Sequence, residues 1–272
     1  MAELVECARL EIAYTGDRIG GSNPSISAKY LLKIYRFVMI DLNFDFYDDV
    51  PDRNVNDPDE YSQELRKYHK ILWTKPLPNG DKFDLQVSDT EYLVYGDFRF
   101  GSDWITNLYM HHEKMIDVMN EIDGSVKEQN KKYTIASSLI FPKNGMNSIN
   151  ICRARNPISD RIDLTLECIR RYYDGALDES VNPLGKCLVA NKDFFDLFGG
   201  FKNYVEFFLL QTLVSKDFKQ VHFFLPFDNF KSNGYPSDAE QWMMLCKNVN
   251  NFIKERTDLI RDDCEKRGIL FA

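Results

Sequence analysis

The sequence predicts an α+β protein, a single globular domain over residues 1–272 with a mixed or antiparallel sheet and several long helices. Three observations lead there. Segments with apolar residues every three or four positions are interspersed with short segments that alternate apolar and polar, so helical and strand periods are both present. They follow one another without the regular strand–helix–strand repeat of a parallel sheet. Hydrophobic residues make up 44% of the chain, with 20 Phe and 14 Tyr, which is ample material for a core. No repeat, low-complexity tract or linker divides the chain.

Taken in order, a turn at Gly20-Gly21-Ser22-Asn23-Pro24 precedes a helix over Ala28–Val38 that Ser25 or Ser27 can cap. Leu42, Phe44 and Phe46 then alternate with Asp41, Asn43 and Asp45, the period of a half-buried strand. The acidic stretch Asp48–Asp59 reads as a surface loop and Tyr61–Leu72 as a helix, followed by the Asn79-Gly80 turn. Strands follow at Phe83–Val87 and Tyr92–Tyr95. Ser102 or Asp103 caps a long helix from Trp104 to about Gln129. Tyr133–Phe141 and Ser148–Arg153 flank PKNGMN like a hairpin. Ser159 or Asp160 caps a helix to Tyr173, whose first turn is acidic and whose last turn is basic, as the helix dipole favours. A helix near Phe194–Val214 is interrupted at Gly199-Gly200. A short strand at Val221–Leu225, with His222 in its interior, leads to a final helix from Ser237 to about Lys266.

Net charge is −8, with a pI near 5.1, which makes nucleic acid an unfavourable partner. No run approaches the ~20 apolar residues of a membrane span, and the N-terminus lacks the basic start of a signal peptide. Six cysteines without a CxxC pair read as reduced, buried thiols, which points to the cytoplasm. His111-His112-Glu113 lacks the helical spacing of a zinc protease, and no metal site is expected. No phosphate loop, dinucleotide fingerprint or nucleophile elbow is present, so the cofactor is left open.

Two segments could carry chemistry. In INICRARNPISDRIDLTLECIRRYY, a strand would deliver Arg153, Arg155 and Asn156 to a helix start bearing Arg161, an arrangement suited to a phosphate or carboxylate. The competing reading is that these arginines pair with Asp160, Asp163 and other carboxylates. In RKYHKILWTKPLPNG, His69 could move a proton and Trp73 could stack on a planar ring. The competing reading is an amphipathic helix with Leu65, Tyr68, Leu72 and Trp73 packed inward. Arg99, between two aromatics in FRFGSDW, is a third candidate with Ser102, against the competing reading that Ser102 or Asp103 is only an N-cap, and Glu167 is an alternative proton carrier.

The blocks YSQELRKYHKILWTKPLPNG, FRFGSDW, DRIDLTLECIRRYY, FFDLFGGFKNYVEFFLLQ and FFLPFDNF together resemble a bacterial family of uncharacterised proteins, from about Asp41 to the final helix. The resemblance implies a single-domain bacterial protein and brings no activity or catalytic residues with it.

The leading expectation is an enzyme or ligand sensor for a phosphate-bearing, nucleotide-like small molecule. Arg153, Arg155, Asn156, Arg161 and Arg99 would hold it, Trp73 would stack on it, and His69 or Glu167 would transfer protons. The alternative is a non-catalytic interaction protein of the toxin–antitoxin or phage-defence type, whose acidic loop contacts a protein partner.

Overall fold

The structure is a computed structural model that describes residues 39–88, 93–105, 118, 120, 121, 133–156 and 158–272. The expected helix at Ala28–Val38, most of the one from Trp104 to Gln129, and Cys7, His111, His112 and Pro157 lie outside the described residues. The chain divides into two compact units, residues 41–268 and residues 1–40 with 269–272. In the smaller unit, strand β1 (Met39–Ile40) runs parallel to the last strand, Leu270–Phe271.

The larger unit is α+β, with an antiparallel sheet and several helices. After β1 come helices α1 (Pro58–Tyr61) and α2 (Gln63–Trp73), then a short ribbon of β2 (Lys75–Pro76) and β3 (Lys82–Phe83). The Asn79-Gly80 turn joins the ribbon as expected, with Gly80 at φ +90, where glycine meets no Cβ penalty. A four-stranded sheet takes β4 (Gln86–Val87), β5 (Leu93–Tyr95), β6 (Phe98–Trp104) and β7 (Ser138–Pro142) in that order. Helices α3 (Ile149–Arg155), α4 (Ile162–Tyr173), α5 (Gly185–Ala190), α6 (Lys192–Asp196), α7 (Phe201–Phe207) and α8 (Ala239–Lys266) complete it. Among the described residues, no helix is long and apolar enough to cross a membrane.

Local signals explain the helices that were expected. Ser62 caps α2 by accepting the Leu65 N–H at 3.0 Å, and Leu65, Tyr68, His69, Leu72 and Trp73 form its buried face. Asp238 caps α8 in the same way, accepting from Gln241 at 2.8 Å. Where the structure departs from expectation, side chains have taken over the backbone's hydrogen bonds. Asp41 and Asp45 accept the N–H groups of Asn43 and Tyr47 at 2.8 and 3.2 Å, so DLNFDF turns instead of forming a strand. Asp163 and Asn248 bind the N–H and carbonyl of Phe224, so Val221–Leu225 makes one bridge, Val214 to Val221, and no strand. His222 is exposed there rather than core, its Nδ1 3.3 Å from the Thr212 carbonyl.

Ser148–Arg153 is helical, not a hairpin strand. A 3-10 turn at Gly145–Asn147 runs straight into α3, and burial at Ile149, Cys152 and Arg153 has the helical period. Ser102 and Asp103 cap no helix but sit within β6, paired with Ile140 and Leu139 of β7. At the start of α4 the cap position belongs to Arg161 rather than Ser159 or Asp160.

The core contains an unusual amount of polar chemistry. Trp73 Nε1 can only donate, and it donates to His69 Nδ1 at 2.9 Å; this assigns the proton to Nε2, 3.0 Å from Ser138 Oγ. Burial pushes that imidazole down to about 3, and the Arg256 charge adds to the effect, so His69 is neutral. Arg256, fully buried on α8, donates to the carbonyls of Ala136 (2.7 Å), Ser138 (2.8 Å) and Phe208 (3.2 Å), with its guanidinium 5.7 Å from the Trp73 ring centre. Around them pack Phe83, Phe194, Phe198, Phe207 and Phe208, ring against ring. Arg267 closes the C-terminal end of α2, donating to Ile71, Leu72 and Thr74 at 2.7, 2.7 and 3.0 Å.

Lys75 lies between the Trp73 and Phe207 rings, 3.6 Å from Asp263. Burial pulls its ammonium from 10.5 down to about 8, against the pull of Asp263.

Two outcomes follow from these cations. Arg256→Ala leaves three carbonyls buried without their donor, at ~1–3 kcal/mol each, so the urea midpoint should fall by the equivalent of several kcal/mol. Lys75 carries a depressed folded value, so its charged form weakens the fold, and that cost fades as pH rises through 8 towards 10.5. Lys75→Met should therefore gain most over wild type at pH 7 and least near pH 10, as read from paired denaturation curves.

Candidate functional site

A cleft of about 520 Å³ opens where β6, the end of β7 and the start of α3 meet. Gly101, Ser102 and Asp103 of β6 form its floor. Phe141, Pro142 and Lys143 form one wall, and Met146, Ile149 and Ile151 give it apolar surface.

Backbone pairing dictates the floor. Gly101 stands opposite Phe141 in the β6–β7 ladder. The Lys143 stem crosses this glycine so closely that an added Cβ would come within 2.4 Å of Lys143 Cε. Lys143 is anchored at its own N–H, which donates to the Arg99 carbonyl at 2.7 Å.

Asp59 enters from α1. Asp57 caps that helix and holds the Asp59 N–H at 2.9 Å, which turns the Asp59 carboxylate towards β6. There Oδ1 accepts the Ser102 N–H at 2.6 Å, and Oδ2 lies 3.8 Å from Lys143 Nζ. Burial raises this carboxyl above its ordinary value; Ser102 and Lys143 oppose the rise without cancelling it.

Beneath the floor lies a buried ion pair. Arg153 reaches back from α3 to hold Asp103 with both arms, at 2.7 and 2.9 Å. It also binds Asn150 Oδ1 at 2.7 Å, Thr165 Oγ1 at 3.2 Å and the Asp160 carboxylate. Burial disfavours the guanidinium charge, but Asp103 and Asp160 outweigh it and raise the group beyond its ordinary value. Arg153 is 3% exposed, so its fork is committed to the protein.

Of the residues singled out from the sequence, Ser102 lines the cleft, and three others stand one contact behind it. Arg153 supports Asp103 and Asn150, exposed Arg155 binds the Met146 carbonyl, and Arg99 supplies the carbonyl that holds Lys143. The others serve elsewhere. Arg161 pairs with Asp163 and donates to the Gly234 carbonyl at 2.8 Å. Asn156 ends α3, its N–H bonded to the Cys152 carbonyl. Glu167 is buried and gripped by Arg170 and Arg171 at 2.7–2.8 Å. His69 and Trp73 are each 0% exposed, which leaves neither a face for a ligand. Arg153 and Arg161 are ion-paired and Trp73 packs inward, as the competing readings expected, whereas Arg155 binds a backbone carbonyl instead of a carboxylate.

Asp59, Ser102, Asp103 and Lys143 were not read from the sequence as one site. A signal existed in FRFGSDW, where a glycine and two polar residues interrupt an otherwise apolar strand. Nothing local linked it to Asp59, 43 residues earlier.

Fold and cleft together define an α+β protein with a mostly apolar cleft seated on a buried ion pair. The chain belongs to the family of unknown function DUF6994, which matches residues 40–260. No curated protein and no solved structure matches it.

Removing Asp103 leaves the buried Arg153 charge with Asp160 as its remaining carboxylate. Asp103→Asn should cost about 3–5 kcal/mol in chemical denaturation, whereas Asp103→Leu with Arg153→Met should recover most of that loss.

Proposed function

We propose that the protein binds a small molecule with an apolar body and an anionic group, of the phosphate-bearing, nucleotide-like class, in the cleft between β6, β7 and α3. The observation that carries this reading is the cleft itself. Its volume of about 520 Å³ falls within the ~300–1,000 Å³ typical of ligand pockets, and its mainly apolar surface is interrupted by Asp59, Ser102, Asp103, Lys143, Ser148 and Asn150.

Lys143 and Arg155 take the role first given to Arg153. Lys143 lines the cleft, and its side chain is 39% exposed with Nζ 3.8 Å from Asp59, which brings a positive charge within reach of an incoming anion. Arg155 is exposed at the rim beside Met146. Phe141, Pro142, Ile149 and Ile151 would cover the apolar body. Asp59, with its elevated carboxyl, is placed to exchange a proton with such a ligand, which supports an enzyme as readily as a sensor.

The alternative reading, an interaction protein docking through the acidic loop, gains little from the geometry. Asp45 and Asp48 pair with Arg53 within the chain, while Asp52, Asp57 and Asp59 each accept a backbone N–H.

A thermal-shift screen against nucleotides, NAD, ADP-ribose and sugar phosphates tests the proposal. A ligand at a hundredfold excess over its Kd should add about 2.7 kcal/mol of stability. The shift should disappear in Lys143→Ala combined with Arg155→Ala, two changes on the exposed rim. A flat response across the panel, or a shift unchanged in the double variant, overturns it.

A further inference from the structure

One glycine of the cleft floor has no backbone reason to be glycine. Gly80 needs its freedom for a φ of +90, but Gly101 lies inside β6 and does not have a positive φ. Glycine weakens a strand interior, and where it occurs there it often marks the close approach of another group. At Gly101 the approaching group is the Lys143 stem. A Cβ would stand 2.4 Å from Lys143 Cε, 3.2 Å from Cγ and 3.3 Å from Cδ, and these are its three nearest atoms. One side chain therefore fills the space that a side chain at position 101 would take.

Lys143 cannot back away as a whole. Its N–H donates to the Arg99 carbonyl at 2.7 Å, and the ladder seats Pro142, the residue before it, opposite Phe100. A side chain at 101 would leave that backbone in place and lift the stem, because turning a flexible chain costs less than breaking a ladder. The ammonium at the end of the stem would move with it. In the structure that ammonium stands 3.8 Å from Asp59 Oδ2, while Asp59 Oδ1 takes the Ser102 N–H at 2.6 Å.

We propose that Gly101 is a positioning residue, whose missing side chain leaves the slot that sets the Lys143 charge beside Asp59 at the cleft floor, and that it thereby selects anionic ligands. The selective role rests on the binding reading given above, and the positioning does not. With any side chain at 101 the cleft would keep its apolar walls and lose the cation seated at its floor.

The test uses the full chain in four forms: wild type, Gly101→Ala, Lys143→Ala and the double variant. Its first readout needs no ligand. Lys143 holds the Asp59 carboxyl down against burial, so displacing the ammonium should let that carboxyl titrate at higher pH. Carboxyl-carbon NMR follows the titration, with Asp59→Asn assigning the resonance. Asp57 and Asp103, which also interact with Asp59, are the same in all four proteins. The expected result is an upward shift in both single variants and no further shift in the double variant, where the added methyl has no stem to displace. The second readout is binding of inorganic phosphate by calorimetry. It should weaken about tenfold or more in all three variants, the loss expected for one charge-assisted hydrogen bond.

The positioning is overturned if Gly101→Ala keeps the wild-type Asp59 titration, or if the double variant shifts further than Lys143→Ala. If Gly101→Ala fails to fold, the double variant decides. A double variant that folds upholds the slot, and one that also fails overturns it. Phosphate binding that is absent or equal in all four proteins overturns the selective role and the binding reading with it, even where the Asp59 shift upholds the positioning.

Discussion

A single buried cation, Arg256, ties the larger unit together. Its guanidinium binds carbonyls on three separate stretches: the turn before β7, the start of β7, and the residue that ends α7. Among the described residues no carboxylate neutralises it. Burial lowers the group to about 9, which still leaves it charged at neutral pH. A charge so placed is tolerable only because carbonyl dipoles and the face of Trp73 surround it. That requirement fixes the position of α8 against β7, and the charge adds to the burial that keeps His69 neutral.

The cleft follows a related logic at the other end of β7. Asp103 is a buried acid in a strand interior, and it survives there because Arg153 from α3 answers it with both nitrogens. Arg153 does structural work for the site without lining it, while Asp103 also belongs to the cleft floor. The pair seats α3 over β6 and so sets the distance between Gly101 and Ile149. The groups that could meet a ligand are Lys143 in the cleft lining, the exposed Arg155 and Asp59, whose carboxyl burial raises. The Arg153–Asp103 pair holds the frame, and these groups stand at its edge.

This division also explains which parts of the molecule were legible in the sequence. Helices α2, α4 and α8 carry their period in a single stretch, with Ser62 and Asp238 as caps for the first and last, so local reading sufficed. The Asn79-Gly80 turn was equally local. INICRAR, by contrast, alternates apolar and polar over Ile149, Asn150 and Ile151, which imitates a strand. Only the burial of Cys152 and Arg153 against distant partners reveals the helix. His69, Trp73 and Arg153 stood out because polar and aromatic groups at such spacing attract functional readings. The sequence could not show that Ser138, Arg256 and Asp103, 50 to 183 positions away, already satisfy them. Asp59 and Lys143 were hidden for the opposite reason, since each looked like ordinary loop charge until the sheet brought them together.

The wide sequence separation of the Arg256 contacts has a consequence for how the protein is made. Two of its three acceptors lie 118 and 120 residues upstream, and the third lies 48 upstream. During synthesis the sheet and the aromatic cluster leave the ribosome long before the residue that locks them. Until α8 has emerged, the carbonyls of Ala136, Ser138 and Phe208 have only water, and the Trp73 face is uncovered. The nascent chain must therefore wait in a hydrated, incompletely packed state, exposed to chaperones and proteases, and the core closes only once α8 has emerged.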